Sequence, residues 1–251
     1  MQNLSVAIIT YNEEAKIAAC IESVKDIADE IIVVDSHSTD RTKEIAANHG
    51  AKVIEHVFEN HISQKNFAMT QCSHSFVLSL DADEQLDQQA IEHIKAQKEK
   101  SFPHDGYTLK RITHIGDKGI MHGSWYPDKK IRLVKKELCV WKGKGVHESL
   151  EVNSTNIFAL QGNILHYSYK NVDELFVKTK KYAELAAIYL HQQNKSINSA
   201  TVFLKAYARF VKHYFLKFGF LSGQLGWQIG KQQYLEAKWK YGKLNQLNKT
   251  K

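Results

Sequence analysis

The chain has 251 residues, of which 43% are hydrophobic and 24% charged, an ordinary globular composition that excludes extensive disorder. No run approaches the roughly 18–20 apolar residues that a membrane-spanning helix needs, and the start, MQNLSVAIITYNEE, lacks the basic region of a secretory signal. The 3 cysteines lie far apart and form no C-x-x-C pair, which fits a reducing cytosol and argues against a thiolate zinc site.

The charge is distributed unevenly along the chain. Residues 1–169 hold 19 Lys and Arg against 23 Asp and Glu, whereas residues 170–251 hold 15 against 4. The net charge of +7 therefore combines a slightly acidic body with a strongly basic tail. Such an asymmetry indicates a polyanionic partner, either a nucleic acid or an anionic membrane surface.

The first hundred residues alternate between strand and helix patterns. Continuous apolar, β-branched runs such as EIIVVD predict strands covered on both faces, and apolar residues at helical spacing predict the helices between them. The predicted elements are strand 4–9, helix 14–27, strand 30–35, helix 40–49, strand 51–56, helix 62–72, strand 76–80 and helix 87–100. This alternation predicts an α/β fold whose central, mostly parallel sheet is flanked by helices and binds ligands at the strands' carboxyl ends.

After Pro103 the pattern changes to short alternating segments separated by Gly or Asp. Segments 105–115, 129–134, 138–141 and 163–169 predict antiparallel or mixed strands that complete the sheet. From about residue 172 onward nearly everything has a helical pattern. We therefore predict a catalytic domain over 1–171 and a basic, amphipathic helical tail over 172–251.

The end of the fourth predicted strand carries a cluster of acids. Residues 76–85 read FVLSLDADEQ, so Asp81 and Asp83 follow the strand with D-x-D spacing. These carboxylates repel one another unless a positive charge lies between them, and Mg²⁺ or Mn²⁺ takes such oxygen ligands together with substrate phosphates. A solvated acidic turn that opens the next helix is the alternative.

Two other predicted strands end in polar groups at the same edge of the sheet. Asp35 ends the second strand, and Thr10 begins the polar segment that follows the first. The chain has neither G-x-G-x-x-G nor G-x-x-x-x-G-K-[ST], which argues against dehydrogenases and P-loop proteins. A diphosphate bridged to the acids by a metal ion is the hypothesis that best explains the three strand ends.

The segments VAIITYNEEAKIAACIESV, EIIVVDSHSTDRT and FVLSLDADEQ resemble, in this order, the successive motifs of family 2 inverting glycosyltransferases with the GT-A fold. The later RLV and GVHESL segments resemble the branch that includes bacterial lipopolysaccharide-core enzymes. The resemblance covers roughly the first 150 residues. It implies a Rossmann-like GT-A fold and a metal-dependent transfer of a hexose from a UDP-sugar to a membrane-anchored glycan, for example glucosyl to heptose.

The resemblance also implies roles for individual residues. Asp35 would accept a hydrogen bond from the uracil ring, and Asp81 would face the ribose. Asp83 would hold Mg²⁺ or Mn²⁺ on the diphosphate, with Gln85 as a further ligand. The residues expected around the nucleoside are Thr10, Asn12 and Glu14.

Glu148 in GVHESL is our candidate for the base that takes the acceptor proton, because the family's base commonly lies well downstream of the metal motif. Asp128 in SWYPDKK is the alternative base, and a surface glutamate is the alternative for Glu148. Four further side chains could contact a phosphate or the acceptor. The alternative is that they are ordinary surface charges or are packed in the core. The four are Arg132, Lys144, His147 and Trp125.

The tail contains a predicted amphipathic helix over residues 200–221. Its aromatic stripe, from Phe203 to Phe218, either packs as core on a helix over 175–190 or lies on an anionic membrane surface. We expect a cytoplasmic protein, peripheral on the cytoplasmic face of the inner membrane and acting on a lipid-linked glycan. No nucleic-acid partner is expected, because the basic residues form no docking motif. A catalytically silent scaffold that binds membranes or nucleic acid is the alternative function.

Overall fold

The computed structural model describes residues 2–144 and 147–249. They form two compact units, of which the first holds residues 2–111, 128–144 and 147–166 and the second holds 112–127 and 167–249. The elements in chain order are β1 (Leu4–Thr10), α1 (Ile17–Val24), β2 (Glu30–Asp35), α2 (Thr42–Asn48), β3 (Lys52–Glu55), α3 (His61–Gln71), β4 (Phe76–Asp81), β5 (Glu84–Leu86), α4 (Gln88–Glu99), β6 (Gly106–Ile115), β7 (Lys118–Gly119), β8 (Asp128–Lys135), β9 (Cys139–Lys144), β10 (His147–Val152), β11 (Ile157–Tyr169), α5 (Val172–Gln192), α6 (Ser199–Val211) and α7 (Gly223–Lys249).

The first unit is built around a mixed sheet in the order β3-β2-β1-β4-β8-β6-β11-β5. Strands β1 to β4 pair in parallel, whereas β8 pairs antiparallel with β4 and β6, and β5 pairs antiparallel with β11. All eight elements predicted over residues 4–100 are present, and the predicted α/β fold class is confirmed. The short strand β5 is an addition that the sequence pattern does not predict.

The sheet of the first unit is covered on both faces, as the continuous apolar runs predict. Val6 and Ile8 of β1 belong to one buried cluster with residues of α1 and α4, and Ala7 and Ile9 belong to another with residues of α3. Successive side chains of a strand point to opposite faces, so a buried central strand must be apolar throughout. Polar groups are therefore confined to the strand ends, where a site can form.

One predicted strand has a different place in the fold. Segment 138–141 is expected to complete the main sheet, but β9 instead pairs with β10 in a separate two-stranded sheet, so this prediction is wrong. The side chain of Asn66 on α3 bonds both the N–H and the C=O of Trp141, at 2.9 Å each. These bonds hold β9 against α3, because they satisfy backbone groups that would otherwise need a strand neighbour.

The second unit contains the three long helices α5 to α7, and the predicted helical C-terminal extension is confirmed. Asn171 and Asn198 cap α5 and α6 by accepting hydrogen bonds from backbone N–H groups of the first turn. The small apolar core of the second unit includes Ile115, Leu175 and Ile229. The predicted functional division at residue 171 stays a prediction.

The predicted continuous helix over 200–221 is wrong. α6 ends at Val211, and a π-helical turn, Lys212–Leu216, and a 3₁₀ turn, Gly219–Ser222, follow it. Between these turns Phe218 adopts a left-handed backbone conformation with φ 57°, which no helix continues through. None of the described helices has the length and apolar composition needed to span a bilayer.

Candidate active site

Three strand ends meet at one edge of the first unit's sheet, as the sequence predicts. In the parallel register Thr10 lies opposite Asp35, and Ile9 lies opposite Asp81. The hydroxyl of Thr10 is buried and has no hydrogen-bond partner among the described residues. Because a buried hydroxyl without a partner is costly, this atom is suited to bond a ligand at the strand ends.

Asp35 is fully buried at this edge and is oriented by the loop that follows β2. Its carboxylate accepts hydrogen bonds from the backbone N–H of Ser38 at 2.7 Å and from the Ser38 hydroxyl at 2.6 Å. The same hydroxyl accepts a hydrogen bond from the backbone N–H of Asn12, and the Asn12 side chain accepts one from Thr39. The loops after β1 and β2 therefore form one connected wall around the carboxylate.

The side chain of Glu14 belongs to the same wall. Its carboxylate accepts a hydrogen bond from the backbone N–H of Arg41 at 3.0 Å, and its own N–H donates to Asp40. Asn12, whose φ of 52° is left-handed, and Glu14 thus use side-chain oxygens to join the two loops.

The positive charge that the acid cluster needs comes from the protein itself. The ammonium of Lys65, on α3, lies 3.0 Å from Oδ1 of Asp81, and the guanidinium of Arg132, on β8, lies 3.8 Å from Oδ2. Burial raises the pKa of the Asp81 carboxyl, but Lys65 and Arg132 outweigh it and hold that pKa well below its usual range. The protein's own cations are therefore sufficient to keep Asp81 charged.

Lys65 also connects Asp81 to the candidate base. Its ammonium lies 3.3 Å from Oε1 of Glu148, on β10, and 4.4 Å from the centre of the Trp141 ring. The Lys65 side chain is only 2% exposed, and these contacts hold it in place. One buried cation thus places the Glu148 carboxylate next to the end of β4.

The alternative base, Asp128, lies at the far end of the same series of ion pairs, beyond Arg132 and Glu84. Its carboxylate contacts Arg111 at 2.9 Å and Lys130 at 3.1 Å. Arg111 in turn contacts the fully buried Glu84 at 3.3 Å. Asp128 is therefore held by two cations, whereas a single described cation, Lys65, contacts Glu148.

Asp83 faces His166, with 3.4 Å between Oδ2 and Nε2. Gln85 lies on β5, where it pairs in register with Leu165. No group of three or more His, Cys, Asp or Glu among the described residues could hold a metal ion by itself. Mg²⁺ and Mn²⁺ commonly take one or two protein ligands and complete their coordination with phosphate oxygens and water. The pair of Asp83 and His166 fits a metal ion bound in that way.

The four residues predicted to contact a phosphate or the acceptor do not form one cluster in the part of the chain that the structure describes. Arg132 is buried and contacts Glu84 at 2.9 Å, so its guanidinium supports the acid cluster. Trp125 belongs to the second unit, where its ring stacks on that of Tyr169 at 6.2 Å. The side chains of Lys144 and His147 lie outside the part of the chain that the structure describes.

Sequence reasoning missed Lys65 and His166. Lys65 lies in SQKNFA on a predicted helix, where a lysine gives no signal that it is buried. His166 lies in a predicted strand and is one of 13 histidines. Its register position opposite Glu84 depends on β5, which has only three residues and therefore no detectable periodicity.

Comparison with known proteins finds one matching family and several similar proteins. The model of the family described as Glycosyl transferase family 2 matches residues 5–149. A glycosyltransferase of Rickettsia typhi is 37% identical over 240 residues, covering 88% of this chain and 80% of that protein. The lipopolysaccharide core biosynthesis glycosyltransferase LpsC of Rhizobium meliloti is 30% identical over 246 residues, covering 93% of this chain and 86% of that protein. The crystal structure of S. aureus TarS is similar at a TM-score of 0.49, with 19% identity over 94% of this chain and 49% of that chain.

Proposed function

This chain belongs to glycosyl transferase family 2, and from that premise we propose that it transfers a hexose from a UDP-sugar to a hydroxyl of a membrane-anchored glycan. The observation that carries the proposal is the position of Lys65. Its ammonium lies within 3.3 Å of both Asp81 and Glu148, beside the strand ends that carry Thr10 and Asp35. A donor-binding acid and a candidate base are thereby held together at one edge of the sheet.

The donor would bind along the ends of β1, β2 and β4. The buried Asp35 carboxylate retains lone pairs beyond the two Ser38 bonds and would accept the N–H of the uracil ring. The unpartnered hydroxyl of Thr10 would bond the nucleoside, and Asp81 would face the ribose. Asn12 and Glu14 would contribute through the loops that they join.

Asp83 and His166 would hold Mg²⁺ or Mn²⁺ on the diphosphate, with Gln85 as a further ligand. When bound, the ion would offset the negative charge that accumulates on the departing UDP. The ligands that the protein itself supplies would be one carboxylate and one imidazole, which lie 3.4 Å apart.

Glu148 would act as the base in a direct displacement. The acceptor hydroxyl gives its proton to the Glu148 carboxylate, its oxygen bonds to the anomeric carbon, and the bond from that carbon to the diphosphate oxygen breaks. UDP leaves with the electron pair, and the configuration at the anomeric carbon inverts. Lys65 would hold the Glu148 carboxylate in position. Arg132, which contacts both Asp81 and Glu84, would hold the Asp81 carboxylate beside Lys65.

The acceptor that we propose is lipid-linked, with lipopolysaccharide core as the class. The relative from Rhizobium meliloti is named for lipopolysaccharide core biosynthesis, and its similarity covers 93% of this chain. Such an acceptor would place the protein on the cytoplasmic face of the inner membrane. The donor sugar, for example glucose, and the accepting sugar, for example heptose, would have to be found by experiment.

UDP release from a panel of UDP-sugars, with and without Mn²⁺ and with lipopolysaccharide core acceptors, tests the proposal. We expect acceptor-dependent release that Glu148→Gln lowers by about 10²–10⁴-fold while UDP binding is kept. Asp128→Asn is the matched control and should retain most of the turnover. Turnover that survives Glu148→Gln and disappears in Asp128→Asn would transfer the base role to Asp128, and no release with any sugar would indicate a scaffold.

A further inference from the structure

The turn between α6 and α7 presents a run of large apolar side chains to solvent. We call residues 215–221 the aromatic turn. Its apolar side chains are between 43% and 69% exposed. Monomeric proteins rarely expose contiguous apolar surface of this kind unless it binds a partner or a membrane. The exposed members are Phe215, Leu216, Phe218, Phe220 and Leu221.

The backbone beneath the aromatic turn is tightly packed. A Cβ on Gly219 would lie 2.7 Å from the carbonyl oxygen of His213, and one on Gly226 would lie 1.8 Å from that of Gly219. The imidazole of His213 is fully buried and bonds the carbonyl of Gly226 at 3.1 Å. Phe218 holds the left-handed conformation that non-glycine residues avoid. Its side chain is therefore held outward by a fixed backbone.

The exposed rings continue into a connected aromatic surface. The centre of the Tyr214 ring lies 5.2 Å from that of Phe215, 6.3 Å from that of Phe220 and 5.5 Å from that of Trp227. Phe218 contacts Phe220 at 6.2 Å. Aromatic side chains, Trp and Tyr above all, are enriched where proteins meet the interfacial zone of a bilayer. The chemistry of this surface matches such a zone.

The charged residues that flank the aromatic turn in the sequence have a single sign. No Asp or Glu lies between Glu184 and Glu236, whereas this stretch contains five Lys and one Arg. Lys217 lies within the turn and Lys212 lies three residues before it, and both are exposed. Two copies of this surface would bring like charges together, which disfavours a dimer through it. An anionic lipid surface instead attracts the lysines while the rings enter the headgroup region.

We propose that the second unit docks on anionic bilayers by inserting the aromatic turn, with Lys212 and Lys217 at the level of the lipid headgroups. The partner is a lipid surface that carries negatively charged headgroups, and no particular lipid is required. The proposal concerns the second unit alone and carries no assumption about the transfer reaction. A protein that lacks transferase activity would therefore still bind such vesicles.

Flotation of the full chain with phosphatidylcholine vesicles tests the proposal, with and without about 30% phosphatidylglycerol to supply negative charge. We expect flotation with the anionic vesicles at low salt, little flotation with the neutral ones, and a decrease at about 0.5 M salt. Leu216→Ser combined with Leu221→Ser should lower binding about tenfold or more, because both side chains lose apolar area that enters the bilayer.

Val177→Ser is the matched control, because Val177 on α5 is as exposed as Leu216, at 69% each, but lies outside the aromatic turn. It should float like the unchanged chain, and all variants should keep the same thermal unfolding midpoint. Quenching of tryptophan by brominated lipids gives a second measurement, and Trp227→Phe should remove most of it.

Three results would overturn the proposal. The first is a chain that stays in the soluble fraction with anionic vesicles at low salt. The second is equal loss of flotation in the Val177→Ser control and the double leucine variant. The third is a dimer that the double leucine variant dissociates, without vesicle binding, since the surface would then bind a second copy.

Discussion

In the first unit of the chain charged side chains are buried, and in the second unit large apolar side chains are exposed. Lys65 and Arg132 are 2% and 3% exposed in the first unit, where carboxylates surround them. In the second unit Leu216 and Phe218 are more than half exposed among lysines. Each arrangement costs stability, because burial of charge and exposure of apolar surface are both unfavourable in water. This difference is the reason for proposing two kinds of partner, a small charged ligand for the first unit and an extended surface for the second.

The largest effect is expected from removing the proposed metal ligand in the first unit. Asp83→Ala should abolish Mn²⁺-dependent turnover, a loss of about 10³-fold, because the diphosphate would lose the ion that joins it to the strand ends. Turnover measured against Mn²⁺ concentration checks this. Asp117→Ala, an exposed acid of the second unit, is the control. Unchanged metal-dependent turnover in Asp83→Ala would refute the D-x-D interpretation.

Removing the buried cation should destabilise the first unit. Lys65→Met leaves Asp81 and Glu148 without their nearest positive charge, so we expect a loss of about 3–5 kcal/mol in the free energy of unfolding. Lys43→Met breaks an exposed pair with Glu55 and should change the free energy of unfolding little, because solvent screens such pairs. Urea unfolding of both variants makes the comparison. Equal effects would mean that Lys65 has no special part in the cluster.

The packing under the aromatic turn can be broken without touching its exposed side chains. Gly226→Ala places a Cβ against the carbonyl of Gly219 and should cost about 1–3 kcal/mol. Gly242→Ala, on the same helix α7, meets nothing within 4 Å and should gain up to about 1 kcal/mol from helix propensity. Thermal unfolding of the two variants gives the sign of each change. A neutral Gly226→Ala would show that the turn is loosely packed.

The smallest effect concerns pH. Burial lowers the pKa of His213 in the second unit, so the unfolded chain binds a proton more readily than the folded one. The folded state therefore loses stability as pH falls below the unfolded value of about 6.5, until the folded pKa is passed. Hydrogen exchange at pH 7 and pH 5 should show this loss in the helical unit. His213→Gln should remove the part of this loss that His213 contributes, and an unchanged profile in that variant would contradict the assignment.

The sequence predicted most of the first unit because its signals are local. Continuous apolar runs mark β1, β2 and β4, and the parallel register then places Thr10, Asp35 and Asp81 at one edge without further information. Lys65 could not be found in this way. Its burial depends on Trp141 and Glu148, which lie about eighty residues further along the chain and are brought to it by tertiary contacts.

The second unit was predicted less well for a related reason. Periodicity over 200–221 indicates a helix, but the left-handed residue that interrupts it is Phe218, which carries no local signal of its own. The break follows from close packing of His213 against Gly219 and Gly226. The aromatic stripe that the sequence predicts is present. Some of its rings, such as Phe210 and Tyr214, pack on Trp227 of α7, and others, such as Phe218, are exposed.

Calorimetric titration of UDP into the protein, with and without Mn²⁺, tests most directly the claim that the converging strand ends of the first unit hold a nucleotide. We expect Mn²⁺-dependent binding that Asp35→Asn weakens about tenfold or more, since a charge-assisted hydrogen bond to the base is lost. Asp26→Asn, an exposed surface change, should bind as the unchanged chain does. UDP affinity that is unaffected by both Mn²⁺ and Asp35→Asn would contradict the account.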